Sequence, residues 1–355
     1  MDSTHNQWKT ILNTIQQGQE LTPQHIQWAM EEIMGGRASD VLIAAFLMGL
    51  HTKGESSTEI SSLAQGMLSK AVPINLQQDA VDIVGTGGDQ LNTVNISTMS
   101  ALVIAGAGIP VIKHGNRASS SSSGAADVLE KLGVNLSSTP EQVQHIFERT
   151  GIAFLFAQVF HPAMRHVAPV RKQLGVPTAF NYLGPLTNPA RTTSSAIGVA
   201  NERVARKIAE VFQQRKNNHA LIFRGGDGLD ELTTTTTSVV YEVNNNQLEE
   251  YVLDPREFGI QLGTIEELRG GDANHNARVF WEVLRGEAPQ TIINTVLLNA
   301  AGGITSHTPV NGRSFEDRFE SSLFIAKDSL ENGKALAKLE GWIDASSTLA
   351  DASES

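Results

Sequence analysis

Three short segments of this sequence contain residues that could hold a phosphorylated ligand. The first is a glycine-rich turn, Gly85-Thr86-Gly87-Gly88-Asp89. Because glycine tolerates φ > 0 and has no Cβ, such a turn can bring backbone N–H groups close to an anion. The turn matches neither the P-loop pattern nor the GxGxxG dinucleotide pattern, and taken alone it is equally well explained as a structural turn.

The second segment is basic and precedes a run of serines. Lys113, His114, Asn116 and Arg117 lie just before those hydroxyl groups and before the start of a predicted helix. Positive charge, hydroxyl groups and a helix N-terminus are the usual components of a phosphate site. In a chain of net charge −11 this cluster is also where the local potential could become positive. An ordinary basic surface loop, with the serines as a flexible linker, is the alternative.

The third segment is an adjacent carboxylate pair, Asp230-Glu231, within glycine-rich surroundings after a predicted strand. Mg²⁺ prefers carboxylate oxygens and shares its other positions with water and substrate phosphates. An isolated Asp-Glu pair is usually a solvated surface feature, but its location at a strand end favours a metal site here.

Two other features are less specific. Arg171 follows His161 by ten residues on a predicted helical stretch, 162–174, and an arginine can bind a planar carboxylate through two parallel hydrogen bonds. The spacing alone favours an ordinary surface arginine. The threonine run 233–237 is interpreted as an exposed β-branched strand.

After Pro73, predicted strands and helices alternate, and these elements must position the three segments. Short apolar strands are predicted at 80–84, 110–112 and 220–223, with helices at 97–107 and 125–132. Strands alternating with helices indicate βαβ units and a mostly parallel sheet. The carboxyl ends of such strands bind ligands in open α/β sheets. We therefore expect the three segments to converge on one edge of the sheet.

The first seventy or so residues predict four helices and no strand. Thr22 before Pro23 has the pattern of an N-cap, and Ser56 with Glu59 forms a capping box. The stretch 41–50 is apolar nearly all round, which indicates a buried helix. The predicted fold class is therefore α/β, with a small N-terminal α-helical domain and a large α/β domain with a mostly parallel central sheet. Residues 344–355 are predicted to be a disordered tail.

Composition excludes several classes of protein. The chain has 355 residues and no cysteine, which excludes a disulfide framework, thiolate zinc sites and a cysteine nucleophile. Net charge −11 opposes nucleic-acid binding, since such proteins normally carry a basic face. No signal peptide or membrane span is predicted, and a cytoplasmic location is expected.

Seven motifs together resemble the anthranilate phosphoribosyltransferase family in order and spacing. They are GTGGD (85–89), NTVNIST (92–98), KHGNR (113–117), SGAAD (123–127), HPAMRHVAPVR (161–171), FNYLGPLTNPA (180–190) and GLDEL (228–232). The resemblance implies transfer of the phosphoribosyl group of phosphoribosyl pyrophosphate (PRPP) to the amine of anthranilate, with Mg²⁺, two ions per subunit, in the second step of tryptophan synthesis from chorismate.

The resemblance also implies a domain organisation. Residues 1–72 with 162–191 would form the small helical domain, on the anthranilate side and used for dimerisation. Residues 76–161 with 192–343 would form the PRPP-binding α/β domain, with hinges near 73–75. A homodimer is expected, with PRPP and anthranilate as its small-molecule partners and with neither nucleic acid nor membrane.

By resemblance, a set of loop residues is assigned to PRPP binding: Gly85, Gly88, Asp89, Thr93, Asn95, Ile96, Ser97, Thr98, Lys113, His114, Gly115, Asn116, Arg117, Ala118, Ser119, Ser120, Ser121 and Ala125. Anthranilate would be bound by Gly85, Asn116, His161 and Arg171, with Arg171 contacting its carboxylate. The metal would be held by Ser97, Asp230 and Glu231.

The chain departs from the family pattern at two positions. The family often has serine at the position of Ala125, where this chain can offer only its backbone. Many members have arginine at the position of Pro177, so that side chain's role does not carry over. Two alternatives share this architecture: a pyrimidine-nucleoside phosphorylase, which the acid pair and both loops oppose, and a non-catalytic nucleic-acid-binding relative, which the net charge opposes.

Overall fold

The computed structural model describes residues 3–76, 79–118, 122–215 and 219–351. Within these residues the α-helices are, in chain order, α1 (Ser3–Gln16), α2 (Pro23–Met34), α3 (Asp40–Lys53), α4 (Ser57–Leu68), α5 (Ile96–Gly106), α6 (Ala125–Leu132), α7 (Pro140–Thr150), α8 (Ala157–Phe160), α9 (Ala168–Leu174), α10 (Glu202–Gln213), α11 (Ala273–Leu284), α12 (Gln290–His307), α13 (Phe315–Glu331) and α14 (Lys334–Asp351). The strands are β1 (Val81–Gly85), β2 (Val111–Gly115), β3 (Ile152–Phe156), β4 (Ser194–Gly198), β5 (His219–Gly225), β6 (Ser238–Asn244) and β7 (Gln247–Leu253).

The chain divides into two compact units. The helical unit comprises Met1–Val72 and Ala157–Pro189, and the α/β unit comprises Pro73–Phe156 and Ala190–Ser355. The second segment of the helical unit thus begins at Ala157 rather than at residue 162, so that α8 belongs to the helical unit.

Local sequence signals explain how helices of the helical unit begin. The Thr22 side chain accepts a hydrogen bond from the His25 N–H at the start of α2, with Pro23 in the first helical turn. Ser56 and Glu59 form the predicted capping box at the start of α4. Four α-helices do form within the first seventy residues, as predicted.

The expected continuous helix over 162–174 is wrong. A short 3₁₀-helix, Pro162–His166, is followed by α9, with Val167 between them. The break is explained by proline chemistry, because Pro169 has no N–H and its ring clashes with the preceding turn of a helix. Pro169 is therefore accommodated only in the first turn of a new helix, and α9 starts there.

The α/β unit contains one seven-stranded sheet, with strand order β3-β2-β1-β4-β5-β6-β7. The first five strands in that order are parallel, and β6 and β7 add as an antiparallel hairpin. The predicted mostly parallel sheet is confirmed. Because the order reverses between β1 and β4, this pair is the topological switch point, where open α/β sheets bind ligands beyond the carboxyl ends of the strands.

Two helices that are apolar on almost every side, α5 and α12, pack against one another and against β1. Such helices must be buried on all sides, which places them in the core of the unit. Among the described residues, no helix combines the length and the apolar character that a bilayer crossing requires.

The predicted disordered tail is wrong for most of its length. The helix α14 continues to Asp351, and Ala345 and Ser346 are fully buried. The Ser346 hydroxyl accepts a hydrogen bond from the Asn135 N–H. Small side chains here allow close packing of one helix face, so an alanine-rich and serine-rich composition did not indicate disorder. Residues 352–355 lie outside the described part of the chain.

Candidate functional site

The glycine turn after β1 and the carboxylate pair after β5 meet at the switch point. The Gly87 N–H donates a hydrogen bond to Asp230 Oδ2 at 2.6 Å, across 143 residues of sequence. Gly87 and Gly88 both have positive φ, 68° and 85°, which glycine adopts without strain. The turn therefore needs glycine for its conformation, and one of its N–H groups is used by Asp230.

Asp230 lies against the ends of two neighbouring strands. Gly85 and Gly198 are paired in register on β1 and β4. A Cβ at Gly85 would lie 2.1 Å from Asp230 Oδ2, and one at Gly198 would lie 1.6 Å from the Asp230 backbone oxygen. Real side chains do not approach so closely, so both glycines are required for this packing. Gly198 had no role in the sequence interpretation.

Glu231 is held by the start of α5, and Ser97 connects it to Lys113. The Ser97 N–H donates to Glu231 Oε1 at 3.1 Å, where the helix dipole also favours a negative charge. The Lys113 ammonium donates to Ser97 Oγ at 3.1 Å and to the Ile83 carbonyl oxygen. The three loops thus converge, as the parallel topology predicted.

The ionisable groups of this cluster are buried close together, and their pKa values are shifted accordingly. Burial, and then the neighbouring Asp89, raise the pKa of Asp230 to about 7. Burial and the Asp230 charge raise the pKa of Glu231 well above its ordinary value. Burial lowers the pKa of Lys113, although Asp82, Glu231 and Asp230 oppose that shift. Burial thus opposes charge on both carboxylates and on the lysine, and the attraction between Lys113 and Glu231 only partly offsets it.

A divalent cation fits this environment. Glu231 Oε2 is buried and has no hydrogen-bond partner within the described residues. Across 3–76, 79–118, 122–215 and 219–351, no group of three or more His, Asp or Glu residues has the arrangement of a complete metal centre. Mg²⁺ does not require one, because it takes one or two carboxylates and completes its shell with water and phosphate oxygens.

The basic segment is anchored to β1 and α6. The His114 N–H donates to Asp82 Oδ1 at 3.1 Å, and Asn116 Oδ1 accepts from the Arg117 N–H at 2.8 Å. The Arg117 side chain pairs with Glu130 through two hydrogen bonds of 2.7 Å and with Asp127 at 3.1 Å. In this structure the Arg117 charge is therefore already neutralised by α6.

The rest of this loop is closed by Asp127. Its Oδ2 accepts hydrogen bonds from the N–H groups of Ala118 and Gly124, each at 2.9 Å. Ala125 is the first residue of α6, and Gly115 ends β2. Ser119, Ser120 and Ser121 lie outside the described residues. Asp127 carries no ligand role in the sequence interpretation, yet it shapes the loop.

The segment before α5 is fastened by residues far away in sequence. Thr93 forms a β-bridge with Arg269, and Asn95 Oδ1 accepts from the Asn276 side chain at 2.8 Å. The Asn95 side chain also donates to the Ser123 carbonyl at 3.0 Å, linking this segment to the basic loop. Ile96 and Thr98 are buried within α5. Asn276 was not predicted, and no local pattern identifies it.

The expected exposed strand over 233–237 is wrong, because these residues form a loop in which Thr233 and Thr234 are fully buried. The hydroxyls of Thr233 and Thr235 each donate to Asp227 Oδ2 at 2.6 Å. The hydroxyl groups of these two threonines therefore fasten the loop that carries the carboxylate pair.

In the helical unit, His161 is buried and burial lowers its pKa to about 4, so the ring is neutral at pH 7. Its Nε2 lies 2.9 Å from the Thr187 carbonyl oxygen and must donate to it. Arg171 is half-buried, contacts the Asn181 side-chain oxygen at 3.3 Å, and lies 5.9 Å from the centre of the Phe180 ring. No carboxylate among the described residues forms an ion pair with Arg171.

A buried lysine, glycine turns and carboxylates at the switch point of a parallel sheet are typical of an enzyme that binds a phosphorylated ligand with a divalent cation. The model of the glycosyl transferase family, a/b domain, matches residues 77–336, and that of its helical bundle domain matches residues 9–71. These matches define the class as a glycosyl transferase.

Comparison with individual relatives shows which members of this family the chain resembles. An anthranilate phosphoribosyltransferase of Arthrobacter sp. (strain FB24) is 52% identical over 338 residues, covering 95% of this chain and 96% of that protein. The crystal structure of the Thermus thermophilus enzyme of this name has a TM-score of 0.87 and 38% identity, covering 94% of this chain and 98% of that chain. The solved structure of the Saccharomyces cerevisiae enzyme, in complex with PRPP and Mg, has a TM-score of 0.85 and 27% identity, covering 96% of this chain and 98% of that chain. The chain belongs to the anthranilate phosphoribosyltransferases of this glycosyl transferase family.

Proposed function

We propose that the protein transfers the 5-phosphoribosyl group of PRPP to the amine of anthranilate, giving N-(5-phosphoribosyl)anthranilate and pyrophosphate, the second step of tryptophan biosynthesis from chorismate. The observation that carries the proposal is the convergence of the glycine turn, Lys113 and the carboxylate pair at the β1–β4 switch point. Positive and negative groups placed together in this way suit a pyrophosphate that binds with a cation.

The residues proposed to hold Mg²⁺ are Ser97, Asp230 and Glu231, with two ions per subunit. Asp89 is a further candidate, because its charge raises the pKa of Asp230 and it must therefore lie near the same site. A bound Mg²⁺ would neutralise the charge that develops on the pyrophosphate leaving group. Metal binding would also favour the ionised forms of these carboxylates over their protonated forms.

The chain's own residues would contribute electrostatics and positioning. Cleavage of the bond between C1 and pyrophosphate places positive charge on the ribose and negative charge on the leaving group. We propose that Lys113 and the N–H groups of the glycine turn stabilise that negative charge. Because the aromatic amine of anthranilate is already neutral at pH 7, no strong general base is needed. Alignment of the reactants can supply on the order of 7–11 kcal/mol.

We propose that Arg171 binds the carboxylate of anthranilate. A half-buried guanidinium without an ion-pair partner among the described residues favours an anionic ligand, and a planar carboxylate matches its two parallel N–H groups. His161 would contribute as a neutral ring of fixed orientation, because its Nε2–H is held by Thr187. A neutral imidazole with a pKa of about 4 would not act as a general acid at pH 7.

We also propose that the protein is a homodimer formed through the helical unit, as the family resemblance implies. Val41 on α3 is 77% exposed, so a contact through this face of the unit would bury an apolar side chain. Sedimentation of the protein and of a Val41→Asp variant tests this, since a dimer that uses this surface should dissociate more readily in the variant.

The decisive experiment follows the loss of anthranilate fluorescence after addition of PRPP and Mg²⁺. We expect a decrease that requires both additions and stops when a chelator is added in excess. Fluorescence that stays constant with all components present would refute the proposed reaction. In a parallel sample, release of base from thymidine or uridine with inorganic phosphate would instead indicate a nucleoside phosphorylase.

A further inference from the structure

The carboxylate pair lies on a segment without regular structure. Residues 230–237 form neither helix nor strand. Their backbone N–H and C=O groups, where buried, must find partners outside a regular hydrogen-bonding pattern. Leu232 immediately follows Glu231 and is fully buried, so whatever holds the Leu232 backbone also fixes the peptide group that joins it to Glu231.

One side chain of α12 satisfies both backbone groups of Leu232. The Leu232 N–H donates to Asn299 Oδ1 at 2.8 Å, and Asn299 Nδ2 donates to the Leu232 carbonyl at 2.8 Å. The second Nδ2 hydrogen bond is made to the Thr295 carbonyl, one turn earlier in the helix, at 2.9 Å. Asn299 itself is fully buried.

Only a carboxamide can make this set of contacts. It offers two donors and an acceptor on one planar group, whereas a carboxylate can only accept and an apolar side chain can do neither. Asparagine is a poor residue for the middle of a helix, so this position is not explained by helix propensity. The side chain of Leu232 also packs towards α12, where a Cβ at Gly302 would lie 3.1 Å from Leu232 Cδ1.

We propose that Asn299 is a positioning residue that sets the geometry of Asp230 and Glu231 for the divalent cation. This inference rests on the proposed function, which assigns the divalent cation to Asp230 and Glu231. Gly85 and Gly198 limit the position of Asp230 from the side of the sheet, and Asn299 holds the segment just after Glu231 from the side of α12. Residues that orient metal ligands typically change metal affinity about 10–100-fold when they are replaced.

Two substitutions test the proposal. Asn299→Leu keeps a side chain of similar length and removes both contacts to Leu232. Asn299→Gln keeps a carboxamide but displaces it by one methylene, so it should fold even if the leucine variant does not. We expect the concentration of divalent cation for half-saturation to rise about 10–100-fold in Asn299→Leu and at least threefold in Asn299→Gln, with the KM for anthranilate unchanged.

The matched control is Ser306→Ala. Ser306 is also fully buried on α12, and its hydroxyl donates only within the helix, to the Gly303 carbonyl at 2.8 Å. Loss of that hydrogen bond should lower the melting temperature without changing metal affinity. Metal binding is measured directly with Mn²⁺ by electron paramagnetic resonance in the presence of PRPP, and the Mg²⁺ requirement is measured by anthranilate fluorescence.

The two measurements separate this inference from the proposed function. Mn²⁺ binding needs no turnover, so it tests Asn299 even if the wild-type protein does not consume anthranilate. A weakened Mn²⁺ affinity in folded Asn299 variants, with Ser306→Ala unchanged, supports the positioning role. If folded Asn299→Gln binds Mn²⁺ less than threefold more weakly than wild type, the positioning role is overturned while the proposed reaction stands on its own assay.

Discussion

Replacing Gly198 with alanine tests whether the close packing of Asp230 on β4 sets the geometry of the site. A Cβ at residue 198 would lie 1.6 Å from the Asp230 backbone oxygen, and Cβ atoms essentially never lie closer than 3.0 Å to such an atom. The Asp230 backbone must therefore retreat by about 1.4 Å. Because the obstructing atom belongs to the backbone, no side-chain rotation can relieve the clash.

The expected cost follows from that displacement. A misplacement of about 1 Å can reduce turnover by about 100-fold, which corresponds to about 2.7 kcal/mol of transition-state stabilisation. We therefore expect kcat/KM to fall about 100-fold or more in Gly198→Ala. The Mg²⁺ concentration for half-maximal activity should rise as well, since Asp230 is a proposed metal ligand.

The assay is the loss of anthranilate fluorescence with PRPP and Mg²⁺, with folding checked by circular dichroism. Gly341→Ala is the matched control, because this glycine lies in α14 without positive φ and a Cβ there meets nothing within 4 Å. The control should retain wild-type activity. If Gly198→Ala is folded and its kcat/KM stays within threefold of wild type, the argument from close packing is refuted.

Four other predictions concern the anthranilate side, the pH dependence of metal use and, in two cases, stability. Arg171→Ala should raise the KM for anthranilate about 10–100-fold, because a charge-assisted hydrogen bond is lost. Lys172→Ala is the control. A rise in the KM for PRPP alone would contradict the assignment of Arg171 to anthranilate. Since the pKa of Asp230 is raised to about 7, protons compete with the cation, and the Mg²⁺ concentration for half-saturation should fall as the pH is increased through 7. In the metal-free protein the raised pKa of Asp230 means that the native state binds more protons than the unfolded chain between pH 4 and 7. The free energy of unfolding should therefore decrease as the pH rises over that range. A melting temperature that does not change over that range would contradict this prediction. Arg318→Met should destabilise the fold by about 3–5 kcal/mol. The reason is that buried Glu242 loses the two hydrogen bonds, of 2.8 and 2.7 Å, that Arg318 donates to it. An unchanged denaturation midpoint would contradict this prediction.

The parts of the fold that depend on neighbouring residues were predictable from the sequence. The capping box of Ser56 and Glu59, the N-cap at Thr22 and the first strands after Pro73 each leave a short pattern. The hairpin of β6 and β7 was not predicted. Its turn is formed by Asn245 and Asn246, with φ of 49° and 64°, and the asparagine run 244–246 was an available turn signal.

Composition misled where one type of side chain fits more than one environment. The threonine run 233–237 has strand-like residues but supplies hydroxyl groups to Asp227. The tail after residue 344 is rich in small residues, yet Ala345 and Ser346 are buried in α14. In both cases the side-chain types were compatible with two environments, and packing chose between them.

By itself the sequence determined the fold class, the family, and which loops contain groups able to bind phosphate and metal. Those features depend on short sequence patterns and on the rule that parallel strands bring their carboxyl-terminal loops to one edge of the sheet. Only the tertiary structure decided how the groups are arranged. The contact of Gly87 with Asp230 spans 143 residues, and Asn299 reaches Leu232 across 67. The burial that raises the pKa of Asp230 likewise depends on strands and helices that are distant along the chain, so no local pattern could have revealed it.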